Sequence, residues 1–148
     1  TLYDSLRRTA HELFREGERD SAGRRVHIPE RGAVLSLGVW VLRDGTDTGY
    51  RPLEGGPLEL AGVVSLAMPN LNRSVRDSPV AVRDEGYPEL LEAKWRAALE
   101  GAERCGAEVL VVPDAGCGVF MNRPEDVGGA LARALARASA RDLVVVVC

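Results

Sequence analysis

Two short apolar runs near the end of the chain, residues 107–113 and 142–147, constrain its fold more than any other feature. Both are rich in valine, which favours β-strands, and their central parts, 109–112 and 143–147, are continuously apolar rather than alternating. Continuous hydrophobicity predicts strands that are buried on both faces. Between them, residues 124–139 repeat apolar positions at helical spacing. This order predicts an α/β fold with a largely parallel sheet.

The rest of the chain extends this prediction. Residues 1–17 and 88–104 have the pattern of amphipathic helices, and residues 60–70 that of a further buried strand. Extended structure is expected over 26–44, with a turn-rich excursion at 44–57. The expected buried helix positions are Leu2, Leu6, Ala10, Leu13 and Phe14, then Leu91, Trp95, Ala98, Leu99 and Ala102, then Val127, Leu131, Ala134, Leu135 and Ala138. Trp40, in a strand pattern, is also expected in the core.

Composition narrows the classes of function. The chain has 148 residues, enough for one domain, and a formal net charge of −3, which argues against charge-driven binding of nucleic acid. Three cysteines and two histidines, His11 and His27, match no metal-site spacing. Reduced thiols and the lack of an apolar run of transmembrane length predict a cytoplasmic protein without a membrane partner, metal or cofactor.

The segment PDAGCGVFMNRP, residues 113–124, joins a predicted strand to a predicted helix. Ligands of α/β proteins bind beyond the carboxyl ends of strands, and glycines let a backbone adopt positive φ and approach a ligand. Gly116 and Gly118 are therefore expected to shape a turn whose N–H groups hold an anion. The alternative, that the segment only turns, stays open.

Known phosphate motifs do not match this segment. There is no GxxxxGK[ST], and Met121 occupies the third glycine position of GxGxxG. Glu125 and Asp126 occupy the positive end of the helix, where Asn122 is a plausible N-cap. Asn122 is also a candidate ligand-binding residue. A phosphate here is therefore expected to bind the loop amides, and not the helix dipole.

Three further side chains of the loop are candidates. Phe120 is an aromatic residue in a loop. Exposure of its ring to water is unfavourable unless a flat group packs against it. Asp114 either accepts from a ligand hydroxyl or closes an Asx-type turn. Cys117 is a weaker candidate, a nucleophile whose pKa would be lowered by the turn amides, although no histidine lies near it in sequence.

The stretch VLVVPDAGCGVFMNRPEDVGGALARAL resembles the phosphate-binding loop and following helix of macro-domain proteins. It is most similar to the microbial poly(ADP-ribose) glycohydrolase-like branch, which has a GCGxFxN-P signature after a strand. Upstream, TLYDSLR, VLSLGVWVLRDG and VVSLAMPNLN resemble segments of that branch in the same order. Only the GCGVF–N–P stretch is specific.

The resemblance implies a three-layer α/β/α sandwich, with a mixed and mostly parallel sheet, that binds ADP-ribose or an ADP-ribosylated substrate. Gly116, Cys117, Gly118 and Val119 would surround the diphosphate with N–H groups. Phe120 would lie against the distal ribose. Asn70, after its own strand, would line the same cleft.

One departure from the family limits this inference. Hydrolytic members have an upstream glycine-rich loop ending in Gln-Glu-Glu, which supplies the catalytic acid, whereas this chain contains no glutamine. A complementary N-terminal polypeptide segment would complete an ADP-ribosyl glycohydrolase; a shortened, non-catalytic reader of an NAD-derived nucleotide is the alternative. The first is favoured because a sheet without its upstream strands exposes an edge and a hydrophobic face. No catalytic residue is assigned.

Overall fold

The protein has a mixed α/β fold. The computed structural model describes residues 2–17, 27–75, 80–138 and 142–148. In chain order the elements are α1 (Leu2–Glu16), β1 (Val34–Ser36), β2 (Val39–Val41), a 3-10 turn (Thr46–Thr48), β3 (Leu58–Leu60), β4 (Val63–Ser65), α2 (Tyr87–Arg104), β5 (Val109–Val112), α3 (Pro124–Arg137) and β6 (Val144–Val147).

Helices α2 and α3 pack against each other and form most of the core. Trp95 is 2% exposed, and its indole N–H donates to the carbonyl of Val127 at 3.1 Å. On the polar side of the contact, the buried Glu92 accepts from Arg133 at 3.1 Å and also from Arg137. The buried cluster consists of Met68, Tyr87, Leu91, Trp95, Ala98, Leu99, Val112, Val127, Ala130, Leu131 and Ala134.

The predicted helices are confirmed within one or two residues. Gly106, with φ +66, follows α2 and donates to Glu103, as expected of a helix stop. Not every helix position that was expected to be buried is buried. Leu135 is 39% exposed, whereas Ala130 is fully buried. Leu2, Leu6, Ala10 and Ala138 are only half-buried. The α3 stripe at 127, 130, 131 and 134 has the helical period, and Leu135 lies one residue beyond it. Phe14 lies in α1, but its side chain is outside what the structure describes.

The strands form three pairs within the described part of the chain. β5 and β6 are parallel, as predicted, but β1 pairs with β4 and β2 with β3 in antiparallel fashion. The single strand predicted over 60–70 is wrong. It is divided at Ala61–Gly62 into the end of β3 and all of β4, which have different partners. Gly62 lies so close to β1 that a Cβ would stand 2.9 Å from the side chain of Leu35.

Helices α1 and α2 pack on the β1/β4 pair, α1 against β1 and α2 against β4. The contact with α2 is tight, since a Cβ on Gly101 would stand 2.8 Å from Cγ2 of Val64. Elsewhere burial is incomplete. Trp40 is 52% exposed, which contradicts its predicted core position, because no described element covers that side of the β2/β3 hairpin.

The β5/β6 pair is buried on one face only. Leu110, Val112 and Val145 pack against the core, whereas the alternate residues of both strands are exposed. Val147, at the end of β6, is 64% exposed although it shares the direction of Val145. The prediction of burial on both faces is therefore wrong for the described part of the chain. None of the described helices combines the length and hydrophobicity needed to cross a bilayer.

Candidate ligand-binding loop

The glycine-containing segment connects Val112 at the end of β5 to Pro124 at the start of α3. Gly116 has φ +79, and a Cβ there would stand 2.6 Å from Cβ of Met68 and 2.7 Å from Nδ2 of Asn122. Both its conformation and its surroundings therefore require glycine. Gly118 differs from the prediction, because its φ is not positive and a Cβ there would meet nothing within 4 Å.

Asn122 fixes the shape of this loop from inside the protein. It is 2% exposed, and its Nδ2 donates to the carbonyls of Pro69 and Gly116, both at 2.8 Å. Its Oδ1 accepts from the hydroxyl of Tyr87 at 2.7 Å. The predicted N-cap role is wrong: Arg123 occupies the N-cap position of α3, and no side chain caps that helix.

Tyr87 is the partner that the sequence did not reveal. Burial is the main cause that raises the pKa of its hydroxyl, with a smaller contribution from the charge of Asp126. The hydroxyl therefore keeps its proton and remains a donor to Asn122. Since 35 residues separate the two side chains, no local pattern could have indicated this hydrogen bond.

The segment after Asn70 forms the neighbouring wall of the loop. Asn70 is 2% exposed, and its Oδ1 accepts from the N–H of Asn72 at 2.9 Å. The N–H of Leu71 donates to the carbonyl of Phe120, and Nδ2 of Asn72 donates to that of Val119, both at 2.9 Å. Asn70 is thus next to the loop, as the resemblance implies, but its side chain is turned into the protein.

The backbone N–H groups of the loop divide into two sets. Those of Ala115, Cys117, Met121 and Asn122 donate to carbonyls within the loop or just before it. Within the described part of the chain, the N–H groups of Gly118, Val119 and Phe120 donate to no acceptor, and neither do those of Asp114 and Gly116. Three successive free N–H groups in a turn are suited to bind an anion. The N–H of Cys117, expected to join them, is instead used by the carbonyl of Asp114 at 3.0 Å.

Electrostatics around Cys117 oppose a thiolate. Burial, followed by the negative charges of Asp114 and Glu125, raises the pKa of the thiol. The expectation that the turn amides lower that pKa is therefore wrong, and a nucleophilic role loses its basis. Asp114 is exposed, and the turn after it is closed by its backbone carbonyl, not by its side chain. Its carboxylate can accept from a ligand hydroxyl.

The acids at the start of α3 are both in ion pairs. Asp126 lies 2.7 Å from Arg83, whose guanidinium also lies 5.8 Å from the ring centre of Tyr87. Glu125 lies 3.5 Å from Arg123. The negative charge expected at this helix end is thus partly balanced by arginines. Both pairs are largely exposed, so solvent weakens them.

The apolar side chains of the loop are arranged differently from the prediction. Phe120 is half-buried and packs against the core. Val119 is 70% exposed and Met121 is 61% exposed, with a φ of +58 that non-glycine residues seldom adopt. The exposed apolar surface around the free N–H groups therefore comes from Val119 and Met121, with one part of Phe120.

His11 and His27 are both exposed, and no group of three potential metal ligands occurs within the described residues.

A scan against protein-family models found no match, and neither did a search of curated proteins. The geometry defines a mixed α/β protein in which a glycine-containing loop follows a parallel strand. The buried side chain of Asn122 holds this loop in place.

Proposed function

We propose that this protein is a macro-domain-like protein that binds ADP-ribose, with the diphosphate on the loop of residues 114–122. The observation that carries the proposal is the row of free N–H groups at Gly118, Val119 and Phe120, beside the open space at Gly118. N–H groups fixed in a turn bind phosphate without a basic side chain.

The structure refines the residues of this proposal. The proposed set retains the N–H groups of Gly116, Gly118 and Val119, which donate to no acceptor among the described residues, and adds that of Phe120. The N–H of Cys117 is left out because the carbonyl of Asp114 accepts from it. Gly116 shapes the loop. In the proposal, the exposed part of the half-buried Phe120 contacts a ribose, and the exposed carboxylate of Asp114 accepts from a ribose hydroxyl.

The loop is rigid enough for such binding before the ligand arrives. The side chain of Asn122 makes three hydrogen bonds, which hold the loop to Pro69 and Tyr87 and close it on Gly116. Two hydrogen bonds from the Asn70–Asn72 segment hold the carbonyls of Val119 and Phe120. A loop that is already ordered loses little conformational entropy on binding. The three-layer sandwich belongs to this proposal, and helices α1 and α2 both contact the β1/β4 pair.

The activity proposed for the complete molecule is hydrolysis of an ADP-ribosyl glycosidic bond. The acid for that step would come from a complementary N-terminal polypeptide segment, and the present loop would supply binding and orientation. The second candidate is a non-catalytic reader of ADP-ribose. It is favoured by the free N–H groups themselves, which need no acid to hold a diphosphate.

Binding is tested by titrating the protein with ADP-ribose in a calorimeter. We expect saturable heat from the wild type. Gly118→Val should abolish it while the Tm stays within about 2 °C, because the added side chain occupies space that is open without ligand. Gly128→Ala, on an exposed face of α3, is the matched control and should bind as the wild type does.

Absence of heat from the wild type at millimolar ADP-ribose would contradict the proposal, as would unchanged binding by Gly118→Val. To separate the two candidates, the full-length protein is incubated with an ADP-ribosylated protein. The ADP-ribose that is released into solution is then measured. Release of ADP-ribose selects the hydrolase, whereas binding without release selects the reader.

A further inference from the structure

A cleft of about 280 Å³ lies where α2 packs on the β1/β4 pair. It is bounded by the segment that leads into β1, by the two strands and by the second half of α2. Gly101, which lines it, is about four helical turns along α2 from Tyr87, or roughly 21 Å. Because Tyr87 holds the loop of residues 113–124, the cleft is separate from the site proposed for ADP-ribose.

Two guanidinium groups line this cleft without a partner in the protein. Arg31 precedes β1, and Arg104 lies in the last turn of α2. Both side chains are exposed, and neither forms an ion pair or a hydrogen bond within the described part of the chain. A guanidinium presents parallel N–H donors that match the two oxygens of a carboxylate. Both groups are thus available to an anion.

The charge balance of the lining also favours an anion. Glu100 is the one carboxylate among the described residues that line the cleft, and Arg96 lies 3.9 Å from it. The N–H of Ala33, another lining residue, donates to no acceptor within the described part of the chain. The lining is therefore positive, on a chain whose formal net charge is −3.

The turn that carries Arg31 is fixed in place before any ligand binds. The N–H of Gly32 donates to the carbonyl of Pro29 at 3.2 Å and closes the turn around Arg31. The buried Lys94 donates to the carbonyl of Glu30, which ties the turn to α2. Because turn and helix are held together, bringing Arg31 and Arg104 to one ligand costs little conformational entropy.

The cleft is also lined by apolar side chains from three elements, Leu35 of β1, Val64 of β4 and Ala97 of α2. A cavity of roughly 150 Å³ holds one benzene ring, so the cleft is large enough for a ring that bears a carboxylate. We propose that it binds a small carboxylate with an apolar substituent. The carboxylate lies on Arg31 and Arg104, and the apolar part contacts Leu35, Val64 and Ala97.

The test is a titration of ¹⁵N-labelled protein with benzoate, followed through the amide signals by NMR. We expect saturable shifts at Ala33, Ala97 and Gly101, with a dissociation constant of about 1 mM for a ligand of this size. Arg31→Gln and Arg104→Gln should each raise that constant at least about fivefold, because each removes a charge-assisted hydrogen bond. Both side chains are exposed, so the variants should retain the wild-type circular dichroism spectrum.

Arg51→Gln is the matched control, since Arg51 is exposed but lies outside the cleft. It should bind benzoate as the wild type does. Benzamide, which is uncharged, and inorganic phosphate, which has no apolar part, should each bind at least about fivefold more weakly than benzoate. A wild type without saturable shifts at about 20 mM benzoate overturns the proposal, as do shifts confined to other amides. Undiminished binding by either cleft variant, or equal binding of benzamide or phosphate, overturns it as well.

Discussion

At the scale of single residues, Gly116 has little freedom to change. Its φ of +79 disfavours any side chain, and a Cβ would stand 2.6 Å from Met68 and 2.7 Å from Asn122. We expect Gly116→Ala to lower the free energy of unfolding by about 2–4 kcal/mol, since strain and overlap add. Urea denaturation followed by circular dichroism measures this change.

Gly118→Ala is the control for that substitution, because it stands two residues away without positive φ or a neighbour within 4 Å. It should change the free energy of unfolding by less than about 0.5 kcal/mol. Equal effects at the two positions would show that the loop does not have the conformation described.

The hydroxyl of Tyr87 is the second residue whose role can be isolated. Tyr87→Phe removes the only donor to Oδ1 of Asn122 within the described part of the chain and leaves a buried acceptor unpaired. We expect a loss of about 1–3 kcal/mol in the free energy of unfolding. Chemical denaturation compares this variant with Tyr3→Phe, whose ring is 71% exposed and whose substitution should be neutral. A neutral Tyr87→Phe would exclude the hydrogen bond as a brace of the loop.

At the level of elements, two helix glycines make opposite contributions. In a helix interior, Gly→Ala stabilises by about 1 kcal/mol if the methyl group has room. Gly128 of α3 has no neighbour within 4 Å, whereas a Cβ on Gly101 of α2 would stand 2.8 Å from Val64 of β4. We therefore expect Gly128→Ala to raise the Tm by a few degrees and Gly101→Ala to lower it.

The double variant Gly101→Ala/Val64→Ala tests the cause. If overlap with Val64 is responsible, the effects of the two substitutions on stability should not be additive. Gly101→Ala should then destabilise the Val64→Ala protein less than it destabilises the wild type. Thermal unfolding of all four variants gives the coupling. Additive effects would contradict a direct contact between α2 and β4 at this point.

The helices were predictable because their signal is local. The stripe from Leu91 to Ala102 repeats at helical spacing within one segment, and all five of its predicted members are buried. Strand pairing depends instead on distant partners. Nothing within residues 60–70 shows that Leu60 pairs with Val39 while Val63 pairs with Ser36.

The candidate site was predictable to a similar extent. Its location followed from a strand, a glycine turn and a helix in sequence. The free N–H groups and the buried state of Asn122 did not, because they depend on Tyr87 and on the Pro69–Asn72 segment, far away in the chain. Trp40 was misplaced for the same reason, since only its distant neighbours determine whether a strand residue is covered.

At the level of the whole molecule, α2 contacts three other parts of the structure. It packs against α3 through Trp95, against β4 through Gly101, and against the segment before β1 through Lys94. Lys94 is the only lysine of the chain. It is 2% exposed, and its ammonium group donates to the carbonyl of Glu30. Lys94 is thus a buried cation close to the point where the chain enters β1.

Burial lowers the pKa of Lys94 to about 8, although the charge of Glu30 acts in the opposite direction. Because the chain has a single lysine, labelling with lysine carrying ¹³C at Cε gives one side-chain signal to follow by NMR. We expect its titration midpoint near pH 8 in the folded protein. A midpoint near the ordinary value of 10.5 would contradict the buried position.

The lowered pKa makes stability depend on pH in a definite direction. Between pH 8 and 10.5 the unfolded chain binds the lysine proton and the folded protein does not, so the contribution of Lys94 to stability rises with pH and is lost below pH 8. Lys94→Met removes this dependence. We expect the variant to exceed the wild type in free energy of unfolding most at pH 7, and this advantage to shrink by about 3 kcal/mol by pH 10.5. Urea denaturation at several pH values gives the difference, in which the other titrating groups cancel. An advantage that stays constant over this range, or grows with pH, would show that the ammonium group is not desolvated in the folded protein.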